Sequence, residues 1–272
     1  MKKENEIIFT ETSEGARTYD LMPPYSHEGI KFMYDELFHN DPQYIADIGS
    51  GTGRLTAQIM PNNVLYGVEP DPNMRIVAKE KFRNQNNFNS IIGTAECTNL
   101  PTNSMDFITV GQAFHRFDPA SFRTEADRIL KNDDNVIILW NRIYYDRPIF
   151  SELLSAIKDA YSGYTCRFVC QDEVKGSLLE LRQNDEIAFA FYHGKAQKKT
   201  FSNPFRLSVK DFMDICLSLW IFPLANGHET QKILKSDEFN LTKFKRDLCE
   251  IFAAHQENGI VTLPLETDIY FA

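Results

Sequence analysis

Ten consecutive residues, Tyr44-Ile45-Ala46-Asp47-Ile48-Gly49-Ser50-Gly51-Thr52-Gly53, constrain this chain more than any other stretch. An apolar run reads as a buried strand, an acid stands near its end, and glycine then recurs at alternate positions before a helical pattern begins at Arg54. Glycine accepts backbone conformations that other residues resist, so such a turn carries the chain sharply from strand to helix. It also lets a ligand lie against bare main chain. A second apolar run, Val64-Leu65-Tyr66-Gly67-Val68, closes on Glu69. A carboxylate about twenty residues beyond a glycine turn can grip a ribose, so the two features together predict a nucleoside-containing ligand.

The first half of the chain alternates short β-rich runs with helical patterns, the signature of a parallel sheet covered on both faces. Strands are expected at about 44–48, 64–69, 88–92, 105–111 and 136–140. Helices are expected from Arg54 to a stop at Pro61, through Met74 and Phe82 with Pro72 near the start, and over Phe122 to Leu130. This doubly wound unit ends near Asn141. Residues 142–226 break the rhythm: helical patterns at Ile149–Tyr161 and Val209–Leu219 flank a strand-like Glu186–Tyr192. That stretch holds Phe201, Phe205, Phe212, Trp220 and Phe222, rings that either line a substrate-side cap or fill the core. After Asn226-Gly227, a helix near 240–257 leads to Ile260–Leu263 and Asp268–Phe271, which read as a terminal strand or hairpin. The expected division is a cofactor-binding core with an N-terminal lid over 1–141, a cap over 142–226, and sheet-completing elements over 227–272.

A formal net charge of -9 over 272 residues argues against broad nucleic-acid binding, which needs a basic surface. The basic cluster Lys195, Lys198 and Lys199 beside His193 reads as a solvated loop. Five cysteines are too few and too scattered for a disulfide framework. Cys166 and Cys170 lack nearby partners to complete a metal set, so no metal is expected. No window approaches the ~18 apolar residues of a membrane span. Nor does an apolar segment of signal-peptide length follow Met1–Glu6. The expectation is a cytoplasmic monomer or homodimer with a small-molecule substrate and neither nucleic-acid nor membrane partners.

The loop also discriminates between cofactors. A dinucleotide fingerprint needs G-x-G-x-x-G, whereas here Gly49, Gly51 and Gly53 give G-x-G-x-G. Asp47 would repel a pyrophosphate and would suit a cationic ligand bearing an amino group. S-adenosylmethionine has a sulfonium, an ammonium, a ribose and an adenine, and no phosphate. The loop favours it. Gly49-Ser50-Gly51 and Glu69 alone would also permit a nicotinamide dinucleotide, so an oxidoreductase is the alternative reading. A non-catalytic module that binds S-adenosylmethionine is another.

Asp47–Gly53 resembles the first motif of class I S-adenosylmethionine-dependent methyltransferases. The resemblance continues through Gly67–Met74, Gly93-Thr94-Ala95-Glu96-Cys97-Thr98-Asn99-Leu100-Pro101, Asp106-Phe107 and Gln112–Asp118, in order and spacing. It covers roughly residues 40–141 and is greatest to the branch of trans-aconitate methyltransferase and related small-molecule enzymes. It implies an α/β, doubly wound, mostly parallel seven-stranded Rossmann-like sheet with helices on both faces. It further implies that Glu69 accepts from both ribose hydroxyls and that Gly49, Ser50, Gly51, Thr52 and Gly53 wrap the methionine portion. Asp47 would orient the loop or reach the ammonium through water. Pro70, Asp71 and Met74 would flank ribose and adenine, Ala95 and Glu96 would read the adenine, and the backbone of Gln112 and Ala113 would face the sulfonium.

Methyl transfer from a sulfonium needs a general base only when the nucleophile carries a proton. A carboxylate acceptor needs none. His115, just past the fourth strand, is the candidate catalytic residue, as base or orienting group, or else a support for the loop. Arg116 stands where the family often has tryptophan, and either clamps a carboxylate or points to solvent. Tyr19-Asp20-Leu21-Met22-Pro23-Pro24-Tyr25 is similar to the family's lid but shorter, without the arginine common before the proline. Tyr19 and Tyr25 are expected to close over the cofactor.

Overall fold

The computed structural model describes residues 10, 12–38, 42–132, 134–160, 185–218, 237 and 239–272. Cys166, Cys170, Trp220, Phe222, Tyr161, Leu219, the Asn226-Gly227 break and the N-terminal Met1–Glu6 lie outside them.

Seven strands form one sheet: β1 (Tyr44–Ile48), β2 (Val64–Val68), β3 (Phe88–Ile91), β4 (Phe107–Gly111), β5 (Val136–Arg142), β6 (Gln197–Ser208) and β7 (Ile260–Phe271), in the order β3-β2-β1-β4-β5-β7-β6. The β1–β5 pairings are parallel, but β7 runs antiparallel to both β5 and β6, so the sheet is mixed. The strand order reverses between β1 and β4. That switch point is where open α/β sheets bind ligands, beyond the carboxyl ends of the strands.

β1 is hydrogen-bonded on both sides and covered on both faces. Ile45 packs one face with Leu65, Phe107, Leu139 and Ile269. Ala46 and Ile48 pack the other with Val68, Ile108, Val110 and Trp140. The alternation is the strand period of two, and both faces are apolar because helices cover both. The first face is closed by helices α2 (His27–Phe32), α3 (Arg54–Ile59) and α4 (Pro72–Lys81), with α1 (Ser13–Thr18) packed on α4 through Ala16, and the second by α5 (Pro119–Ile129) and the helical residues 185–191. The distal half of β7 builds a separate core with α6 (Pro148–Ala160), the helix Val209–Ser218 and the helix Leu241–His255.

Pro61 follows α3 closely, and Asp71 caps α4, its Oδ1 accepting from the Asn73 amide at 2.8 Å with Pro72 in the first turn. The terminal stretch is one continuous strand, β7, rather than two. The stretch Glu186–Tyr192, expected as a strand, is helical over 185–191. Ala188, Phe191 and Tyr192, spaced three and four apart, are the residues it buries against the sheet. The sixth strand is Gln197–Ser208, so Lys198 and Lys199 lie on an edge strand rather than in a solvated loop. Lys198 pairs with Asp268 at 3.1 Å and Asp185 at 3.3 Å. Of the aromatics expected in a cap, Phe201 and Phe205 sit on β6 against the cores, and Phe212 is fully buried beneath helix Leu241–His255. Among the described residues, no helix is long and apolar enough to cross a membrane, and no three His, Cys, Asp or Glu side chains gather as a metal set.

The Tyr192 hydroxyl, fully buried, shares its one proton between the carbonyls of Val136 at 2.8 Å and Tyr270 at 3.1 Å, tying the 185–191 segment across β5 and β7. Tyr192→Phe strands those carbonyls and is expected to lower unfolding stability by about 1–2 kcal/mol, measured as a shift in the urea midpoint at constant slope.

Candidate cofactor and transfer site

The glycine turn leaves β1 with all three glycines at positive φ: 68° at Gly49, 56° at Gly51 and 78° at Gly53. Each serves differently. A Cβ on Gly49 would stand 2.7 Å from that of Ala113, and one on Gly53 would overlap the Phe82 ring. A Cβ on Gly51 would meet only the edge of the Tyr19 ring, at 3.9 Å. The outer two glycines therefore permit close packing, and the middle one opens a bare main-chain surface roofed by Tyr19. The Gly49 and Ser50 amides both donate to the Val68 carbonyl, at 2.8 and 3.1 Å, which holds the turn against the end of β2. Ser50 is buried, as is Thr52, whose hydroxyl donates to Asp20 at 2.5 Å.

Asp47 is buried beneath this turn. It accepts from the Thr56 hydroxyl on α3 at 2.6 Å and from the Thr109 hydroxyl on β4 at 3.2 Å. Burial pushes its carboxyl up to about 6, with the two hydroxyls pulling the other way. Its structural task is to bind strand, helix and neighbouring strand together below the loop.

Glu69 lies at the end of β2, 7% exposed. Its Oε2 accepts from the Gly51 amide at 2.9 Å and its Oε1 from the Asp71 amide at 2.8 Å. Burial raises its carboxyl to about 7 despite those two donors. Each carboxylate oxygen has two acceptor sites, so two remain beside the open side of Gly51 for further donors. A vicinal diol supplies two hydroxyl donors. The groups present therefore fit a ribose, and a buried carboxylate there would repel a phosphate.

Asp71 is fully buried as the α4 cap, and its Oδ2 also accepts from the Thr10 amide at 2.7 Å. The Pro70 and Glu69 carbonyls both accept from Arg75 Nη1, at 2.6 and 2.7 Å. Met74 is buried with Val77 and Ala16, and Tyr19 packs against the group. Ala95 is buried beside Leu100 and Met105. Glu96 is exposed and accepts from the Asp118 amide at 3.0 Å, linking its turn to the start of α5.

Beyond β4, Gln112 adopts a φ of 58°, uncommon outside glycine. Its amide is held by the Leu139 carbonyl at 3.0 Å, and its side-chain Nε2 donates to the Asn141 carbonyl at 3.4 Å. Ala113 then abuts Gly49, so the β4 loop leans on the glycine turn. Phe114–Arg116 form a short 3-10 turn. Arg116 Nε donates to His115 Nε2 at 3.3 Å. His115 reaches solvent along one edge, but the protein around its ring and the Arg116 guanidinium hold it neutral, with a pKa lowered to about 4.

The N-terminal segment covers the site, and its anchors are invisible to motif reasoning. The Arg54 guanidinium donates to the carbonyls of Asp20 at 2.7 Å, Tyr19 at 3.4 Å and Met22. Gln58 pairs with both the amide and the carbonyl of Tyr25, each at 2.9 Å. Asn141 donates to the Pro23 and Pro24 carbonyls at 2.9 and 3.0 Å, and Asn203 to Pro24 at 2.7 Å. The Tyr25 ring is buried against Gly111, where no side chain would fit.

Residues 46–138 match the family model described as "Methyltransferase domain". Residues 46–138 are thus similar to methyltransferase domains and supply the parallel part of a seven-stranded sheet. An uncharacterized methyltransferase of Mycobacterium tuberculosis is 32% identical over 120 residues, 44% of this chain and 46% of that protein. One from Schizosaccharomyces pombe is 30% identical over 121 residues, 44% of this chain and 47% of that protein. The aligned stretch thus spans about half the length of these curated relatives. Two solved structures share the fold of the methyltransferase domain and its flanking elements. A candidate type II methyltransferase from Anaeromyxobacter dehalogenans has a TM-score of 0.56 at 14% identity, covering 92% of this chain and 96% of that one. Phosphoethanolamine N-methyltransferase 2 of Haemonchus contortus has a TM-score of 0.50 at 13% identity, covering 95% of this chain and 56% of that one.

Two outcomes follow for the methyltransferase domain. Gly53→Ala places a Cβ into Phe82 at a positive φ, and a loss of about 2–3 kcal/mol is expected in chemical denaturation. Glu69 and Asp47, with carboxyls raised to about 7 and about 6, hold protons in the native chain that the unfolded chain has already released. Stability of the ligand-free protein should therefore fall as pH rises through that window, and Glu69→Gln should flatten the upper part of the slope in thermal melts.

Proposed function

We propose that the chain transfers the methyl group of S-adenosylmethionine to a small-molecule acceptor, at a carboxylate or hydroxyl oxygen. The observation that carries the reading is the buried Glu69 carboxylate, set against the open side of Gly51 with acceptor capacity left for a diol. In this reading Glu69 takes both ribose hydroxyls, and Gly49 to Gly53 run along the methionine portion under Tyr19. Pro70 and Met74 flank the ribose and adenine, and the Ala95 amide with Glu96 reads the adenine edge. The Gln112 and Ala113 main chain faces the sulfonium. Asp47 acts from below, by holding the turn in shape.

When bound, the cofactor supplies an already activated methyl group. What remains for the protein is alignment of a nucleophile behind that methyl and exclusion of water. The docked N-terminal segment suits the second task, since Tyr19 lies over Gly51 and Tyr25 seals the end of β4 at Gly111. His115, beside the β4 loop, faces the acceptor side.

Isothermal titration with S-adenosylmethionine and with a nicotinamide dinucleotide tests the reading directly. Binding of the first alone is expected; binding of the dinucleotide alone overturns it. Release of S-adenosylhomocysteine with an acceptor panel separates an enzyme from a module that only binds. Removal of two charge-assisted hydrogen bonds in Glu69→Ala is expected to weaken cofactor binding about 10- to 100-fold. Because the diol donates to the ionised carboxylate, affinity should also tighten between about pH 6 and about pH 8, and this trend should vanish in Glu69→Gln.

A further inference from the structure

Three consecutive residues at the end of β4 are braced by three different parts of the chain. Gly111 is covered by the N-terminal segment: a Cβ there would stand 2.4 Å from the Tyr25 hydroxyl oxygen and 3.0 Å from Cζ of the same ring. Gln112 is held from β5, its amide by the Leu139 carbonyl at 3.0 Å and its side-chain Nε2 by the Asn141 carbonyl at 3.4 Å. Ala113 abuts Gly49 of the glycine turn. Gln112, in the middle, stands at a φ of 58°. A residue other than glycine keeps such a conformation only where its surroundings over-determine it.

Asn141 joins two of these braces. A side-chain amide has two N–H donors and two acceptor sites. Asn141 Nδ2 donates to the Pro23 and Pro24 carbonyls at 2.9 and 3.0 Å, and its Oδ1 accepts from Thr267 Oγ1 at 2.6 Å and Asn203 Nδ2 at 3.1 Å. All four capacities are taken. Thr267 Oγ1 accepts in turn from the Ser26 amide at 2.9 Å, and Asn203 Nδ2 donates to the Pro24 carbonyl at 2.7 Å. Asn141 thus holds the Gln112 side chain through its main chain, and Pro23-Pro24 through its side chain. Tyr25, directly after those prolines, is the residue that covers Gly111.

Resting on the proposed cofactor binding, we infer that Asn141 is a positioning residue that couples the N-terminal segment to the Gly111–Ala113 turn: the segment docks fully only while Gln112 is strained, and Gln112 stays strained only while the segment is docked. One state has the segment seated and the turn braced; the other has the segment released and the turn relaxed. A ligand lying between the glycine turn and Gly111–Ala113 binds the braced state better, so it closes the segment. By linkage the docked segment tightens that ligand by the same factor. The N-terminal cover then reports on the cofactor site as well as shielding it.

Hydrogen–deuterium exchange of the full chain, read by mass spectrometry over peptides spanning Ser13–Met22, measures docking of the segment. Calorimetry with S-adenosylhomocysteine measures the site. Gln112→Asn is the deciding variant, since asparagine tolerates a positive φ but its shorter side chain falls short of the Asn141 carbonyl. Exchange over 13–22 in this ligand-free variant should be faster than in the wild type by about 5-fold or more, with peptides over β1 and β5 unchanged. Asn141→Ala should accelerate the same peptides and weaken S-adenosylhomocysteine binding by about 5- to 100-fold. Combining the two substitutions should weaken binding by less than the product of their separate losses. Unchanged exchange over 13–22 in ligand-free Gln112→Asn overturns the inference, as do losses that simply multiply in the double variant. Acceleration spread evenly over β1 and β5 marks general loosening and overturns it too. A wild-type chain that does not bind S-adenosylhomocysteine fails the proposed cofactor reading instead, and the ligand-free exchange still decides the coupling.

Discussion

Everything at this site hangs from the buried carboxylate of Asp47. It accepts one hydroxyl from the helix that follows the glycine turn and another from the strand beside its own, through Thr56 and Thr109. A charge in such a place is expensive unless hydrogen-bonded, and burial raises its pKa to about 6. The arrangement fixes where α3 starts relative to β1 and β4. Gly49 can then meet Ala113 and Gly53 can meet Phe82 at distances that no side chain would allow. The same placement brings the Gly51 amide to Glu69. Loop shape, the seat of Glu69 and the β4 loop are thus set by one carboxylate.

Much of the parallel half was legible in the sequence, because its signals are local. Apolar runs bounded by turns mark β1 to β5, and Pro72 marks where α4 begins. The glycine spacing and Glu69 likewise marked the surface beside which the buried carboxylate now sits. The antiparallel side was less legible. β6 carries Lys198, Lys199, Thr200, Ser202 and Asn203, and a polar edge strand with one partner has no apolar run to announce it. Glu186–Tyr192 has strand-like composition, yet Ala188, Phe191 and Tyr192 bury at helical spacing, so tertiary packing overrode local preference.

Roles at the site divide in the same way. Asp71 reads in sequence as a ligand-side acid, and its part in capping α4 and holding Thr10 has no counterpart in that reading. The Arg116 to His115 contact joins neighbouring residues, yet its direction depends on the 3-10 turn that presents them, which no spacing rule encodes. The lid anchors reach across long stretches of chain, from Asn141 and Asn203 back to Pro23 and Pro24, and carry no motif.

Those anchors have an evolutionary corollary. Arg54, Gln58, Asn141 and Asn203 all take hold of the lid through its main-chain amides and carbonyls rather than its side chains. Docking of the segment is therefore indifferent to the identity of residues such as Leu21 and Met22. Positions such as Leu21 and Met22 can drift in sequence while Asp20, Tyr25 and the main-chain anchors keep the segment's seat on the core.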